Sequence, residues 1–148
     1  VQQQVGDFVV ASKAGLPAYQ LAVVIDDARQ RVTEVVRGDD LVRSTARQQL
    51  IYHWLGLTPL PRYWHLPLVL GEDGRRLAKR HGDTRIAHYR EHGVDAERVI
   101  GLIARWSGIL KEPAPLSAQA FAERFDIADL PRDPVTFTQE DDAWLMNT

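Results

Sequence analysis

Four cationic side chains stand close together between two glycines, in the stretch Gly74-Arg75-Arg76-Leu77-Ala78-Lys79-Arg80-His81-Gly82. A glycine-flanked loop can bring several cations onto one polyanion, such as a triphosphate, and so stabilise charge on transferring phosphoryl oxygens. The chain has fifteen Arg and only three Lys residues, so Lys79 inside this loop is consistent with a position that needs a compact ammonium. A solvated basic turn at a helix start is the alternative, and composition alone leaves it open.

Two other side chains could contact a ligand. Arg37 ends a predicted strand and could form a bidentate pair with the carboxylate of a substrate, or an internal pair with Asp39 or Asp40. Tyr19 lies in a predicted buried strand, where its hydroxyl needs a partner, either a ligand or a neighbouring carbonyl. Without further information, the internal contact is favoured for both residues.

Other combinations of reactive side chains are weaker. Asp26 and Asp27 end a predicted strand, where adjacent side chains point to opposite faces and do not converge on one atom. His88 and His92 have the i, i+4 spacing of helical metal ligands, but no zincin pattern accompanies them, and a solvated helix face is favoured. We therefore expect no metal site, and no zinc site, in this chain.

Composition limits the class of protein. The chain has 148 residues, of which 45% are hydrophobic and 26% charged, as in one ordinary soluble domain with a core. It contains no cysteine, so disulfides and thiolate zinc sites are excluded. No apolar run approaches the roughly 18 residues that span a bilayer, and we expect a cytoplasmic protein without membrane contacts. The first residue is Val rather than Met, so a piece of a longer chain is one interpretation.

The elements that must position these residues alternate between strand and helix. Predicted strands cover Ala18 to Asp27, Val32 to Arg37 and about Trp64 to Leu70. Between the last two strands, a helix starts at Ser44 or Thr45 and ends before Gly56. The order strand, helix, strand indicates a parallel βαβ unit, and the basic loop follows its last strand, where open α/β sheets bind ligands.

Beyond the loop the pattern is helical. We predict four helices, which start at Asp83 or Thr84, at Asp95, at Ser117 and near Thr138. The net charge of −2 argues against a protein that coats nucleic acid with a basic surface. The sequence thus predicts half of an α/β sheet followed by a helical extension.

Five segments, taken in order, resemble consecutive blocks of the catalytic domain of glutamyl-tRNA synthetases, which are class I aminoacyl-tRNA synthetases. They are Ala18 to Asp27, Val35 to Leu41, Ser44 to Gln48, His65 to Leu70 and Arg76 to Arg80. The resemblance implies the second half of a Rossmann-like parallel sheet over residues 1–82, with a signature loop at 75–82. It also implies a helical region over residues 83–148, similar to the part of the family that contacts the tRNA stem.

The resemblance implies a ligase that forms glutamyl-adenylate from glutamate and ATP, with Mg²⁺, and then transfers the glutamyl group to tRNA. Lys79 and Arg76 would be catalytic residues of the signature loop and would bind the phosphates together with Arg80. Tyr19 and Arg37 would contact glutamate. The segment Pro67, Leu68 and Val69 would run past the adenine of ATP.

Departures from the family pattern bear on activity. Arg76 and Ala78 replace a lysine and a serine of the usual signature, and the His-Ile-Gly-His type motif of the N-terminal half does not occur in this chain. The missing half would then be a partner, supplied by the same or another polypeptide. A full synthetase and the shorter glutamyl-Q tRNA(Asp) synthetase type both fit. The alternatives are a degenerate half-synthetase that binds tRNA or a protein without catalysis, and a structural fragment without a ligand.

Overall fold

A computed structural model describes residues 6–78 and 82–147 of the chain. These residues form two compact units, one up to Leu66 and the other from Pro67 onwards. Each unit has its own cluster of buried apolar side chains. Within the described ranges, no helix is both long enough and apolar enough to cross a membrane.

The first unit contains the predicted βαβ arrangement. Its elements are helix α1 (Tyr19–Gln30), strand β1 (Glu34–Gly38), a 3-10 turn (Asp39–Leu41), helix α2 (Val42–Trp54) and strand β2 (Arg62–Leu66). Strands β1 and β2 pair in parallel, with Arg37 opposite His65. Val24 of α1 packs with Ile51 and Tyr52 of α2 to form the buried cluster. The parallel pair joined by a helix confirms the prediction for this part of the chain.

The prediction of a buried strand over Ala18 to Asp27 is wrong, because this segment is most of helix α1. Its β-branched residues favour a strand, but packing against α2 decides the conformation. Leu21, Val24 and Ala28 recur at helical spacing and meet the core, whereas Tyr19 is 59% exposed. Arg31 then ends the helix in the left-handed region, at a φ of 58°.

The second unit combines two short strands with four helices among its described residues. The strands are β3 (Val69–Leu70) and β4 (Val135–Thr136), and the helices are α3 (Ile86–Glu91), α4 (Ala96–Trp106), α5 (Ala118–Arg124) and α6 (Gln139–Met146). Strands β3 and β4 pair in parallel. The prediction of a single strand from Trp64 to Leu70 is therefore wrong, because β2 and β3 belong to different sheets. Pro67 lies between them and has no backbone N–H to donate to a neighbouring strand. Strand β4 was not predicted.

The four predicted helices of the second unit are confirmed, although α3 starts later than expected. Ser117 caps α5 by accepting a hydrogen bond from the backbone N–H of Ala120 at 3.1 Å. Thr138 and Asp141 form a reciprocal capping box at the start of α6. Helices α3, α4 and α6 contribute to a buried cluster of Tyr89, Val94, Leu102 and Leu145.

An ion pair between a half-buried arginine and a buried carboxylate joins α4 to α6. The side chain of Asp141 is only 1% exposed, and its Oδ1 accepts a hydrogen bond from Nη1 of Arg105 at 2.7 Å. Its other oxygen accepts from the backbone N–H of Thr138 at 3.1 Å. Both carboxylate oxygens are thus satisfied inside the unit, as a buried charge requires.

Candidate active site

Arg37 lies near the carboxyl end of β1 with acceptors around its guanidinium. Nη1 donates to Oε1 of Gln48 at 2.8 Å, and Nη2 donates to Oγ1 of Thr45 at 2.7 Å and to the carbonyl of Leu41 at 3.3 Å. Nε donates to Nε2 of His65 at 3.3 Å. We call these four acceptors the Arg37 clamp. All four are uncharged when His65 is neutral, so the clamp orients the guanidinium without cancelling its charge.

The elements explain why the clamp closes around Arg37. Thr45 and Gln48 are three residues apart on α2 and therefore lie on the same face of that helix. His65 is the parallel-strand partner of Arg37, so both side chains lie on the same face of the β1 and β2 pair. The crossover helix and the neighbouring strand thus reach the guanidinium from two sides.

The hydrogen bonds define the tautomer of His65. Its Nε2 faces both Nε of Arg37, which can only donate, and the hydroxyl of Thr45 at 3.0 Å. The contact with Arg37 needs the lone pair of Nε2, so the proton of the neutral ring lies on Nδ1, and the Thr45 hydroxyl can donate to the same nitrogen. Partial burial and the charge of Arg37 lower the pKa of His65, while Asp39 acts in the opposite direction. The neutral ring that the clamp needs is therefore favoured.

Tyr63 covers one side of the guanidinium. The Cζ atom of Arg37 lies 5.0 Å from the centre of the Tyr63 ring, a cation–π distance. Tyr63 and His65 alternate along β2 and so share a face, where their rings stack at 6.5 Å. Burial raises the pKa of the Tyr63 hydroxyl and the charge of Arg37 acts in the opposite direction, so the phenol beside Arg37 is uncharged at neutral pH.

No carboxylate pairs with Arg37 in the described part of the chain, so the internal ion pair with Asp39 or Asp40 considered from the sequence is wrong. Burial and the neighbouring Asp26 raise the pKa of the Asp27 carboxyl, and the charge of Arg37 lowers it. Asp26 and Asp27 lie on a helix rather than a strand, and Asp26 is exposed while Asp27 is half-buried. The positive charge is thus not cancelled, but four of the five guanidinium N–H groups donate within the described chain, which leaves one N–H of Nη1 for an acidic ligand.

Tyr19 is the first residue of α1 and is exposed. It does not lie in a buried strand, so its hydroxyl does not need an internal partner. The next residue, Gln20, is hydrogen-bonded to Gln48 of the Arg37 clamp at 3.0 Å. The start of α1 is therefore connected to Arg37 through side chains.

The basic stretch begins as a hairpin in the second unit. The N–H of Gly71 donates to the carbonyl of Arg75 at 2.8 Å, and Gly74 adopts a φ of 70° that favours glycine. Arg76 then bridges back to Leu70 in antiparallel fashion. This places the start of the loop directly after β3, as predicted. Lys79, Arg80 and His81 lie outside the described residues.

The segment proposed to run past adenine is half-buried in the second unit. The carbonyl of Leu68 accepts from the N–H of Val135 at 3.1 Å, and that of Val69 accepts from the N–H of Leu77 at 2.9 Å. Both carbonyls are engaged by the fold. Pro67, Leu68 and Val69 thus lead directly into the hairpin that carries Arg76.

A cleft of about 410 Å³ lies beside this hairpin, lined in part by Glu72, Asp83, His88 and Asp142. Arg85 donates two side-chain hydrogen bonds to Asp83 and holds the pKa of that carboxyl well below its usual value. Within residues 6–78 and 82–147, no group of three or more His, Cys, Asp or Glu side chains could hold a metal ion.

Sequence reasoning missed Gln48, Thr45, His65 and Tyr63 as neighbours of Arg37. A usable signal existed for Gln48, because it lies one helical turn before the core residue Ile51 and so faces inwards. The contacts of His65 and Tyr63 depend on strand register, which the sequence alone does not define.

Comparison with known proteins shows a family match across the chain. Residues 1–141 match the family model described as the catalytic domain of class I tRNA synthetases (E and Q). A glutamyl-Q tRNA(Asp) synthetase of Symbiobacterium thermophilum is 49% identical over 140 residues, which cover 95% of this chain and 43% of that protein. A glutamate–tRNA ligase of Nitrosospira multiformis is 39% identical over 142 residues, which cover 96% of this chain and 30% of the relative.

The fold matches as well. The crystal structure of a glutamate tRNA ligase from Elizabethkingia meningosepticum, in complex with its amino acid, superposes with a TM-score of 0.77 at 28% identity. The match covers 97% of this chain and 32% of that structure. The chain therefore spans less than half the length of these relatives.

Proposed function

Since the chain belongs to the family of class I tRNA synthetases for glutamate and glutamine, we propose that it is part of an ATP-dependent glutamate–tRNA ligase. In the first step, a carboxylate oxygen of glutamate bonds to the α-phosphorus of ATP, and the bond to pyrophosphate breaks. In the second step, an acceptor oxygen or nitrogen of tRNA takes the glutamyl group and AMP leaves. The Mg²⁺ would arrive with ATP.

The orientation of Arg37 is the observation that supports this proposal best. Its guanidinium is held by neutral groups and has no carboxylate partner among the described residues, so its charge and the remaining N–H of Nη1 can serve a carboxylate of glutamate. Tyr19 at the start of α1 completes the proposed glutamate subsite.

The second unit would supply the nucleotide contacts. Lys79 and Arg76 would stabilise charge on the phosphates during adenylate formation, with Arg80 as a further phosphate contact. Pro67, Leu68 and Val69 would lie along the adenine. The hairpin that begins at Gly71 supports this role, because the start of the basic loop, up to residue 78, directly follows strand β3.

Other parts of the proposal concern the whole protein. Residues 1–82 would complete the catalytic domain together with an N-terminal half that carries the remaining ATP contacts, and residues 83–148 would approach the tRNA stem. Between the two family types, identities of 49% and 48% to glutamyl-Q tRNA(Asp) synthetases, against 39% and 40% to glutamate–tRNA ligases, favour the glutamyl-Q type. The cytoplasmic location stays a prediction.

The test is ATP–pyrophosphate exchange by the full-length protein, with each of the twenty amino acids in turn. We expect exchange that depends on glutamate, and a Lys79→Ala variant at least about tenfold slower. Arg37→Ala should raise KM for glutamate far more than KM for ATP. Transfer of labelled glutamate to tRNA(Asp) would identify the glutamyl-Q type. Absence of exchange with every amino acid would overturn the proposal and favour a non-catalytic binding protein.

A further inference from the structure

Gln48 is a polar side chain at a position where the fold favours an apolar one. It is 2% exposed and lies on the core-facing side of α2, one turn before Ile51. Burying an amide costs free energy unless its hydrogen bonds are replaced. Hydrogen bonds within the protein replace those with water at both ends of this amide, with Arg37 at 2.8 Å and with Gln20 at 3.0 Å. The polar residue is therefore explained by what it connects.

Arg37 determines the direction of the whole chain of hydrogen bonds. A guanidinium only donates, so the oxygen of the Gln48 amide must face it, and the nitrogen must face Gln20. Gln20 then accepts with its own oxygen and directs its nitrogen to Oγ of Ser44 at 3.1 Å. The order of donors and acceptors admits one arrangement, which links Arg37 to the first turn of α1.

Thr45 holds a second corner of the same guanidinium. Its hydroxyl accepts from Nη2 of Arg37 at 2.7 Å and lies 3.0 Å from Nε2 of His65. Rotation of the guanidinium would break the bonds at Nη1, Nη2 and Nε together. A carboxylate at position 48 or 45 would hold Arg37 equally well but would cancel its charge, whereas an amide and a hydroxyl do not.

We infer that Gln48 and Thr45 are positioning residues of the glutamate subsite, which hold the guanidinium of Arg37 in one orientation relative to the helix start that carries Tyr19. This inference rests on the proposed function. Neither side chain needs to touch glutamate. Their effect on glutamate acts through Arg37, and ATP binding does not depend on them.

The experiment measures glutamate-dependent ATP–pyrophosphate exchange by the full-length protein and by two near-isosteric variants, Gln48→Met and Thr45→Val. Misplacement of the arginine should raise KM for glutamate by about tenfold or more, with KM for ATP changed less than about twofold. Gln119→Met is the matched control, because Gln119 is exposed on α5 and its amide contacts Glu123. It should leave both constants unchanged. Thermal unfolding of every variant is recorded alongside.

Each outcome decides the matter. Wild-type values of KM for glutamate in both variants, or equal rises for glutamate and ATP, would overturn the positioning role. If Gln48→Met unfolds, Thr45→Val gives the same comparison, because it removes a different contact to the same guanidinium. If both variants lose the native fold, the two residues are structural and the inference is wrong. A wild-type protein without glutamate-dependent exchange would instead refute the proposed function itself.

Discussion

Two arginines, one in each compact unit, are held in opposite ways. Arg37 donates to three uncharged side-chain atoms of α2 and β2, and to one backbone carbonyl. Arg105 donates to the carboxylate of Asp141, which is 1% exposed. The first arrangement fixes a cation and leaves its charge, whereas the second uses the charge to satisfy a buried anion.

The difference separates an arginine that supports a fold from one that can serve a ligand. A buried carboxylate requires its cation, so the charge of Arg105 is already neutralised by Asp141 and cannot bind a substrate as well. Neutral acceptors satisfy the N–H groups of Arg37 at lower electrostatic gain, so the fold alone has less need of that residue. Removal of Arg105 and removal of Arg37 should therefore lower the free energy of unfolding by different amounts.

The largest expected effect is on the ion pair of the second unit. Arg105→Met leaves the Asp141 carboxylate buried without its cation and should lower the free energy of unfolding by about 3 kcal/mol. Denaturant unfolding measures the loss. The control is Arg132→Met on an exposed loop, which should change stability by less than about 0.5 kcal/mol. Equal values for the two variants would show that the pair contributes nothing to stability.

A second test concerns the backbone packing of the same unit. A Cβ added at Gly101 of α4 would lie 2.0 Å from the carbonyl oxygen of Ala114, so one backbone must move. Gly101→Ala should therefore cost about 1–3 kcal/mol. The sign is diagnostic, because the same change at an open helical site stabilises by about 0.5–1 kcal/mol. A stabilised variant would show that α4 and the loop at Ala114 can separate freely.

Removal of Arg37 should affect stability less than removal of Arg105. Arg37→Met leaves the Gln48 oxygen as a buried acceptor without a partner, but no buried charge, at a cost of about 1–2 kcal/mol. The same unfolding assay, run on both variants, gives the comparison directly. A loss as large as that of Arg105→Met would mean that the clamp serves the fold, and would weaken the assignment of Arg37 to a ligand.

Local signals in the sequence predicted much of the fold. Ser117 and Thr138 each precede a helix and cap it, and the βαβ unit follows from apolar segments in series. The prediction of a strand at α1 is wrong because Val23, Val24 and Ile25 are residue types that favour strands, whereas the helix is stabilised by packing of one face against α2. The Arg37 clamp was out of reach, because His65 lies 28 residues from Arg37 and strand register brings them together.

The smallest expected effect is a pH dependence of stability, which differs between His65 in the first unit and Asp83 in the second. The pKa of His65 in the folded chain lies below its usual 6.5, so on acidification the unfolded chain binds this proton first. The contribution of His65 to stability is complete above about pH 6.5 and is lost as the pH falls towards the folded pKa. In the second unit, Asp83 has a lowered pKa, and its contribution is lost only below its usual value of 3.8. Unfolding of the wild type and His65→Gln, measured from pH 7 to pH 5, should show the wild-type advantage shrinking as the pH falls. An advantage that stays constant over this range would mean that His65 is protonated equally in both states, and that the clamp does not require a neutral ring.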